Sequence, residues 1–178
     1  GSFTVTATYG TRNATTQGTF STAPAFSSLS PSSSSTVNTT AVGYTLSKAL
    51  ASGTVTYTRT GGSTDGTHTV NLAGTELNTG TRASAVLTNA PTLVDGSIYT
   101  IAFNGTDFGG NSATEVSVTG VTYDTTAPAF SSLSPSTGST VNTSAVGYTL
   151  SEFIASGTVT YTRTGGTADG TVHTVNLA

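Results

Sequence analysis

The chain has no cysteine, no tryptophan and very little charge. Without cysteine it can form no disulfide, no thiolate metal site and no thiol nucleophile. Only 7% of the residues are charged, and one lysine and four arginines are too few to neutralise a run of phosphates. We therefore expect neither nucleic acid nor an anionic membrane as a partner. No apolar run approaches the roughly 20 residues that cross a bilayer, so no membrane segment is expected in this stretch.

Serine and threonine are abundant instead, and together they make up 66 of the 178 residues. Threonine is β-branched, so it suits the solvent face of a strand better than a helix. The larger apolar residues fall in short runs that alternate with polar ones, which is the period of a strand. The sequence therefore predicts an all-β protein with a small core.

One segment of the chain occurs twice. Residues 23–73 match residues 127–178 at 43 of 51 positions, with Val172 inserted in the second copy. The offset of 104 residues is the size of a whole domain, which indicates a tandem array of domains. We interpret residues 1–22 as the C-terminal strands of one repeat, 23–126 as a complete repeat and 127–178 as the N-terminal half of a following repeat.

The complete repeat is expected to contain about seven short antiparallel strands. The expected strands are residues 26–29, 40–47, 53–60, 68–72, 83–87, 98–103 and 114–123. Prolines at both ends of the first one indicate an edge strand, and the glycine-rich residues 61–66 predict a hairpin turn. In the preceding segment, residues 3–9 are expected to form a strand and residues 10–18 a turn. Short strands at these spacings favour a β-sandwich.

Three motifs of the complete repeat give a more specific identification. Residues 95–101 read DGSIYTI, residues 105–111 read GTDFGGN and residues 123–128 read YDTTAP. Together they resemble the Ig-like tandem repeats of large bacterial surface adhesins, which carry an Asp-Gly strand with a tyrosine, a TD-x-x-GN turn and a DTTAP linker. The resemblance implies seven-stranded Ig-like domains in tandem, export to the cell surface, and a spacer or adhesive role.

The same resemblance implies a candidate metal site. In related repeats, aspartates of the TD-x-x-GN turn and of the DTTAP linker can bind calcium near a domain junction, and here the matching residues are Asp107, Asn111 and Asp124. Carboxylate and carbonyl oxygens are the ligands that calcium prefers. The alternative is that these side chains bond the backbone of their own turns, as Asp and Asn commonly do in glycine-rich loops.

The remaining polar residues offer little chemistry. His68 and His173 occupy the same position in the two copies, at strand starts on a threonine-rich face, and are expected to be solvated. Asp65 and Asp169 fall in the hairpin turn, where the same backbone bonding is expected. Many serines lie in loops without a nearby base, so no catalytic triad is indicated and no enzyme is expected.

A self-formed isopeptide bond would require a buried lysine in each domain. Lys48 is the only lysine, and Glu152 replaces it in the second copy. The adjacent positions also change, from residues 49–50 to residues 153–154, so this loop is the most variable part of the repeated half. An isopeptide is therefore not expected.

These observations leave three hypotheses for function. The first is a secreted, non-catalytic structural protein whose repeats form a spacer or stalk and contact neighbouring repeats of the same protein. The second is a surface fibre, a homo-oligomer in which another copy completes a half-domain by strand addition. The third, a glycan-binding module, would need an exposed aromatic platform, which a chain without tryptophan is poorly equipped to build.

Overall fold

The computed structural model describes residues 1–177. The chain divides into two compact units, Gly1–Thr125 and Thr126–Ala178. Within the described residues the secondary structure consists of β-strands and one short 3-10 helix, with no α-helix. The prediction of an all-β protein is confirmed.

The first unit begins with a two-stranded hairpin. Strand β1 (Ser2–Tyr9) pairs antiparallel with β2 (Arg12–Thr19), and Tyr9 faces Arg12 across the turn. The expected strand at residues 3–9 is therefore confirmed, whereas the expected turn at residues 10–18 is wrong. The turn consists of Gly10 and Thr11, and Gly10 has a φ of 60°. A glycine in this left-handed conformation is typical of a tight hairpin turn, so the threonine-rich residues after it continue as a strand.

Eight further strands and the 3-10 helix (Gly74–Leu77) complete the first unit. The strands are β3 (Phe26–Ser30), β4 (Thr36–Val37), β5 (Val42–Leu46), β6 (Leu50–Gly62), β7 (His68–Asn71), β8 (Gly80–Ala85), β9 (Ser97–Asp107) and β10 (Val116–Tyr123). All seven expected strands have a counterpart. The two-residue strand β4 and the 3-10 helix were not predicted, because each is too short to show a periodic pattern.

These strands form two sheets. One sheet has the order β3-β5-β8 and the other the order β4-β10-β9-β6-β7. Strand β3 lies at the edge of its sheet, as its flanking prolines predict. Strand β4 pairs parallel with β10, whereas the other neighbours in both sheets are antiparallel. The hairpin predicted at residues 61–66 joins β6 to β7, with Tyr57 opposite His68.

A single apolar core joins the two sheets. Phe26 and Tyr44 from one sheet surround Phe103 from the other, with ring centroids 5.9 and 5.8 Å from the Phe103 centroid. Each aromatic pair of this kind contributes about 0.5–1.5 kcal/mol beyond the burial of its area. The buried Tyr44 hydroxyl donates to the Glu76 carbonyl at 2.7 Å, and burial raises the Tyr44 pKa to about 12.

The second unit contains two separate hairpins in its described residues. Strand β11 (Phe130–Ser134) pairs with β12 (Gly147–Leu150), and β13 (Thr158–Tyr161) pairs with β14 (His173–Asn176). By the repeat offset they correspond to the pairs β3-β5 and β6-β7 of the first unit. The second copy of the repeated segment therefore forms the same local strand pairs as the first.

No helix among residues 1–177 has the length and apolar character needed to cross a bilayer.

Candidate functional site

Asp107 is the most enclosed charged group of the first unit. Strand β9 alternates buried and partly exposed residues along its whole length, and the same alternation carries Asp107, its last residue, to the buried side. The Asp107 side chain is fully buried. A buried carboxylate is stable only when hydrogen bonds and an opposite charge replace the water that it has lost.

The turn after β9 supplies most of these hydrogen bonds. Asp107 Oδ1 accepts from the Gly109 backbone N–H at 2.8 Å and from the Asn111 backbone N–H at 2.9 Å. The Asn111 side-chain Nδ2 lies 3.2 Å from Asp107 Oδ1 and 3.1 Å from Oδ2. This is the backbone-bonded arrangement expected of an aspartate in a glycine-rich turn, and the structure shows it for Asp107. The Asn111 side chain instead donates to the Asp107 carboxylate.

The opposite charge comes from Lys48. Its Nζ lies 2.5 Å from Asp107 Oδ2 and also donates to the Thr22 carbonyl at 3.2 Å and to the Ser21 hydroxyl. Lys48, followed by the hydrogen bonds from Asn111, holds the Asp107 pKa well below its usual range. We call these residues, Ser21, Thr22, Lys48, Asp107 and Asn111, the linker clasp, because they join the segment that follows β2 to the two sheets of the unit.

The linker clasp does not fit a calcium ion at Asp107. Calcium needs six to eight oxygen ligands, and both carboxylate oxygens of Asp107 instead face N–H donors or the Lys48 ammonium. The Lys48 ammonium already neutralises the charge of this carboxylate. Among residues 1–177 no group of three or more acidic or histidine side chains gathers at one point. Calcium binding at other positions stays a prediction.

The structure brings Asp107 and Asn111 together but places Asp124 at the other end of β9. Antiparallel pairing sets Tyr123 of β10 opposite Ser97, the first residue of β9, whereas Asp107 is the last. At roughly 3.3 Å per residue, the eleven-residue strand separates the two aspartates by about 30 Å. The Asp124 backbone N–H donates to the Val37 carbonyl at 2.9 Å.

Sequence reasoning missed the role of Lys48. It weighed this lysine only for an isopeptide bond, and here the side chain is 37% exposed and forms an ion pair. The sequence did contain a signal for this ion pair, because the only lysine and the TD-x-x-GN aspartate occur in the same repeat. In the second copy Glu152 stands at this position, and its Oε1 is buried without a hydrogen-bond partner.

A second cluster surrounds Asp65 in the β6-β7 hairpin. Asp65 Oδ2 accepts from the Tyr99 hydroxyl, lies 3.0 Å from His68 Nε2 and accepts from the Val94 backbone N–H at 3.3 Å. Asp65 Oδ1 accepts from the Gly66 N–H at 2.7 Å. Hydrogen bonds lower the Asp65 pKa to about 2. The bond from the Tyr99 hydroxyl has the largest effect, and those from His68 and the Gly66 N–H add to it.

These contacts change the interpretation of His68. The side chain was expected to be solvated, but it is only 28% exposed and pairs with Asp65. In the second copy His173 Nε2 also lies 3.0 Å from Asp169 Oδ2 although Val172 lengthens the turn by one residue. Sequence reasoning could not find the Tyr99 contact, because Tyr99 is 34 residues from Asp65. The cluster fastens the hairpin to β9 and presents no nucleophile.

One open cleft lies over β6 and β9. It has a volume of about 540 Å³ and is lined mostly by small or amide side chains, among them Asn71 and Asn104, together with Leu72 and Leu77. No aromatic or titratable side chain lines it. It therefore offers neither the stacking surface that a sugar would use nor an acid or base for catalysis.

Comparison with protein-family models, with curated proteins and with solved structures finds no match to this chain.

Proposed function

We propose that this chain is part of a secreted, non-catalytic bacterial surface protein in which tandem Ig-like domains form a spacer or stalk. The strand order of the first unit supports the Ig-like assignment. Constant-type Ig-like sandwiches set strands A, B, E and D in one sheet and strands C, F and G in the other. The sheets β3-β5-β8 and β10-β9-β6 match the orders A-B-E and G-F-C. The first unit differs in having no strand D beside β8, and in the additional strands β4 beside β10 and β7 beside β6.

The linker clasp is the observation that carries the mechanical part of the proposal. A stalk transmits position only if the segments between its domains are held, since a free linker lets each domain rotate. Ser21 and Thr22 immediately precede the repeat, and Lys48 bonds both of them and the buried Asp107. One ammonium group therefore fastens the incoming segment to the end of β9.

In the linker clasp a lysine side chain supplies the positive charge that a metal ion would supply in a calcium-bound junction. Because the Asp107 pKa is lowered by its partners, the carboxylate stays charged as the pH falls through the usual range of an aspartate. Junction stiffness should then be insensitive to chelators and retained in mildly acidic surroundings.

Distance measurement between two nitroxide labels tests this role. The chain contains no cysteine, so the replacements Thr15→Cys on β2 and Ala83→Cys on β8 label only those exposed positions. In the labelled chain we expect a narrow distance distribution that a chelator does not alter. Lys48→Ala should broaden it, because Ser21 and Thr22 lose their shared donor.

Arg59→Ala is the matched control. Arg59 is also partly exposed and donates to backbone carbonyls, those of Gly62 and Ser63, but both belong to its own hairpin. It should leave the distribution unchanged. An unaltered distribution in Lys48→Ala would contradict the clasp, and broadening by chelator in the parent chain would show that a metal ion holds the junction.

A further inference from the structure

Asn104 and Gly105, near the end of β9, form the only asparagine–glycine step in the sequence. Glycine in this position matters because it has no side chain to hinder a close approach to its backbone nitrogen. Here the Gly105 N–H donates to Asn104 Oδ1 at 2.8 Å. This bond holds the Gly105 nitrogen beside Cγ, the carbon that carries Oδ1. The nitrogen is therefore placed to attack the side-chain amide.

The hydrogen-bond ladder between β6 and β9 does not use the Gly105 nitrogen. Opposite residues in an antiparallel pair either exchange both of their hydrogen bonds or exchange none. Gly105 lies opposite Gly53, but its carbonyl accepts from the Ala113 N–H at 2.8 Å, on the side away from β6. The Gly53 carbonyl accepts from the Leu72 N–H at 2.9 Å. The two glycines thus form a non-bonded pair, and the Gly105 N–H reaches the Asn104 side chain instead.

Water has access to this step of the chain. Asn104 and Gly105 both line the open cleft over β6 and β9, and Asn104 is half-buried rather than enclosed. Solvent in the cleft can therefore supply the water that hydrolysis of an amide consumes.

Asn71 lines the same cleft and offers an internal comparison. Its following residue, Leu72, carries a large side chain, and the Leu72 N–H donates to the Gly53 carbonyl. The nitrogen after Asn71 is thus both shielded and bound in a strand pair, whereas the nitrogen after Asn104 is neither.

We propose that Asn104 is a site of spontaneous deamidation. The Gly105 nitrogen forms a bond to Asn104 Cγ, the bond from Cγ to Nδ2 breaks, and Nδ2 leaves as ammonia with the proton that Gly105 loses. Water then opens the cyclic imide. Hydrolysis of the new bond at Cγ gives aspartate with an ordinary backbone. Hydrolysis of the original peptide bond gives isoaspartate, whose backbone runs through Cγ.

The isoaspartate product changes the end of β9, because it lengthens the backbone by one carbon before Gly105. Asp107 follows shortly after, and its carboxylate must meet the Lys48 ammonium and two backbone N–H groups of the next turn. The added carbon displaces Asp107 relative to these partners. The inference concerns the chemistry of one strand and does not rest on the proposed stalk role.

Peptide mass spectrometry of the full chain, incubated in its folded state at mildly alkaline pH, tests the site. We expect Asn104 to lose its amide at least roughly tenfold faster than Asn71, and within roughly tenfold of its own rate in urea, because the attacking nitrogen is already in place. Asn104→Gln is the matched control. It keeps the carboxamide, but its longer side chain closes a ring slowly, so the modified peptide should disappear.

Two outcomes would overturn the inference. A folded-state rate further below the urea rate than that would show that the sheet shields Asn104, and equal rates at Asn104 and Asn71 would show that the placement of Gly105 has no effect.

A second measurement tests the effect on β9. The deamidated chain, separated by its added negative charge, should unfold at a lower urea concentration than Asn104→Asp, which carries the charge without the extra backbone carbon. Equal midpoints would refute the displacement of Asp107.

Discussion

The two copies of the repeated segment, described over residues 23–72 and 127–177, share their local structure and differ in their surroundings. Phe26 and Tyr44 lie with ring centroids 5.4 Å apart, and so do Phe130 and Tyr148. Ser28 and Ser132 adopt nearly the same left-handed φ, 51° and 53°. These details recur because they depend on residues close in the chain.

Burial does not recur. Tyr44 is 1% exposed and Tyr148 is 38% exposed, because β8, β9 and β10 cover the first copy and no counterpart of them lies among residues 126–177. Local strand formation and burial of the core therefore depend on different parts of the repeat. The repeated segment determines its strands and turns, whereas the following half of the repeat supplies most of the cover that turns an apolar side chain into a core residue.

The largest expected effect comes from removing the same aromatic ring in each copy. Phe26→Ala should lower the free energy of unfolding of the first unit by about 3–5 kcal/mol, the usual cost of deleting a buried phenylalanine. Phe130→Ala should cost far less, because that ring is already half exposed. Urea unfolding of both variants measures the difference, and equal losses would contradict the account of unequal cover.

A glycine pair sharpens the comparison at the hairpin turn. Gly62 and Gly166 both have positive φ, 67° and 80°, so alanine should cost about 1–2 kcal/mol at either position. At Gly62 the new Cβ would also lie 2.0 Å from the Gly96 carbonyl oxygen, whereas nothing lies within 4 Å at Gly166. Gly62→Ala should therefore destabilise by about 1–3 kcal/mol more than Gly166→Ala.

Thermal unfolding of the two glycine variants, each referred to the parent chain, would measure that excess. Equal shifts in melting temperature would mean that Gly62 does not approach the Gly96 carbonyl this closely in solution.

The smallest expected effect concerns pH. Partners lower the Asp65 pKa to about 2, so this carboxylate stabilises the folded state above about pH 4 and loses that contribution as the pH falls toward 2. Asp65→Asn should reduce stability at neutral pH and narrow its difference from the parent chain between pH 4 and 2. Asp169, whose pKa is also lowered, first by the Thr171 N–H, has a side chain that is 51% exposed.

Asp169→Asn should thus change the pH dependence less than Asp65→Asn. Denaturant midpoints of both variants, recorded between pH 4 and 2, measure how strongly the stability of each depends on pH. A larger effect at Asp169 would show that the Tyr99 bond to Asp65 contributes little.

Sequence alone predicted the strands well because alternation and turn residues are local signals. It failed at residues 10–18, because the threonine-rich strand β2 lacks large apolar residues and so shows no clear alternation. The turn needs only Gly10 and Thr11. It also could not pair Lys48 with Asp107 or Tyr99 with Asp65, since each pair is brought together by the order of strands in the sheets. The separation of Asp107 from Asp124 likewise follows from the direction of β10, which no motif records.

Hydrogen exchange of the dilute full chain tests the central claim most directly, because it reports the opening of each strand separately. The amides of β5 and β6 should be strongly protected, and those of the equivalent residues in β12 and β13 should exchange quickly. Equal protection of the two copies in the dilute chain would contradict the claim that the second half of the repeat creates the core.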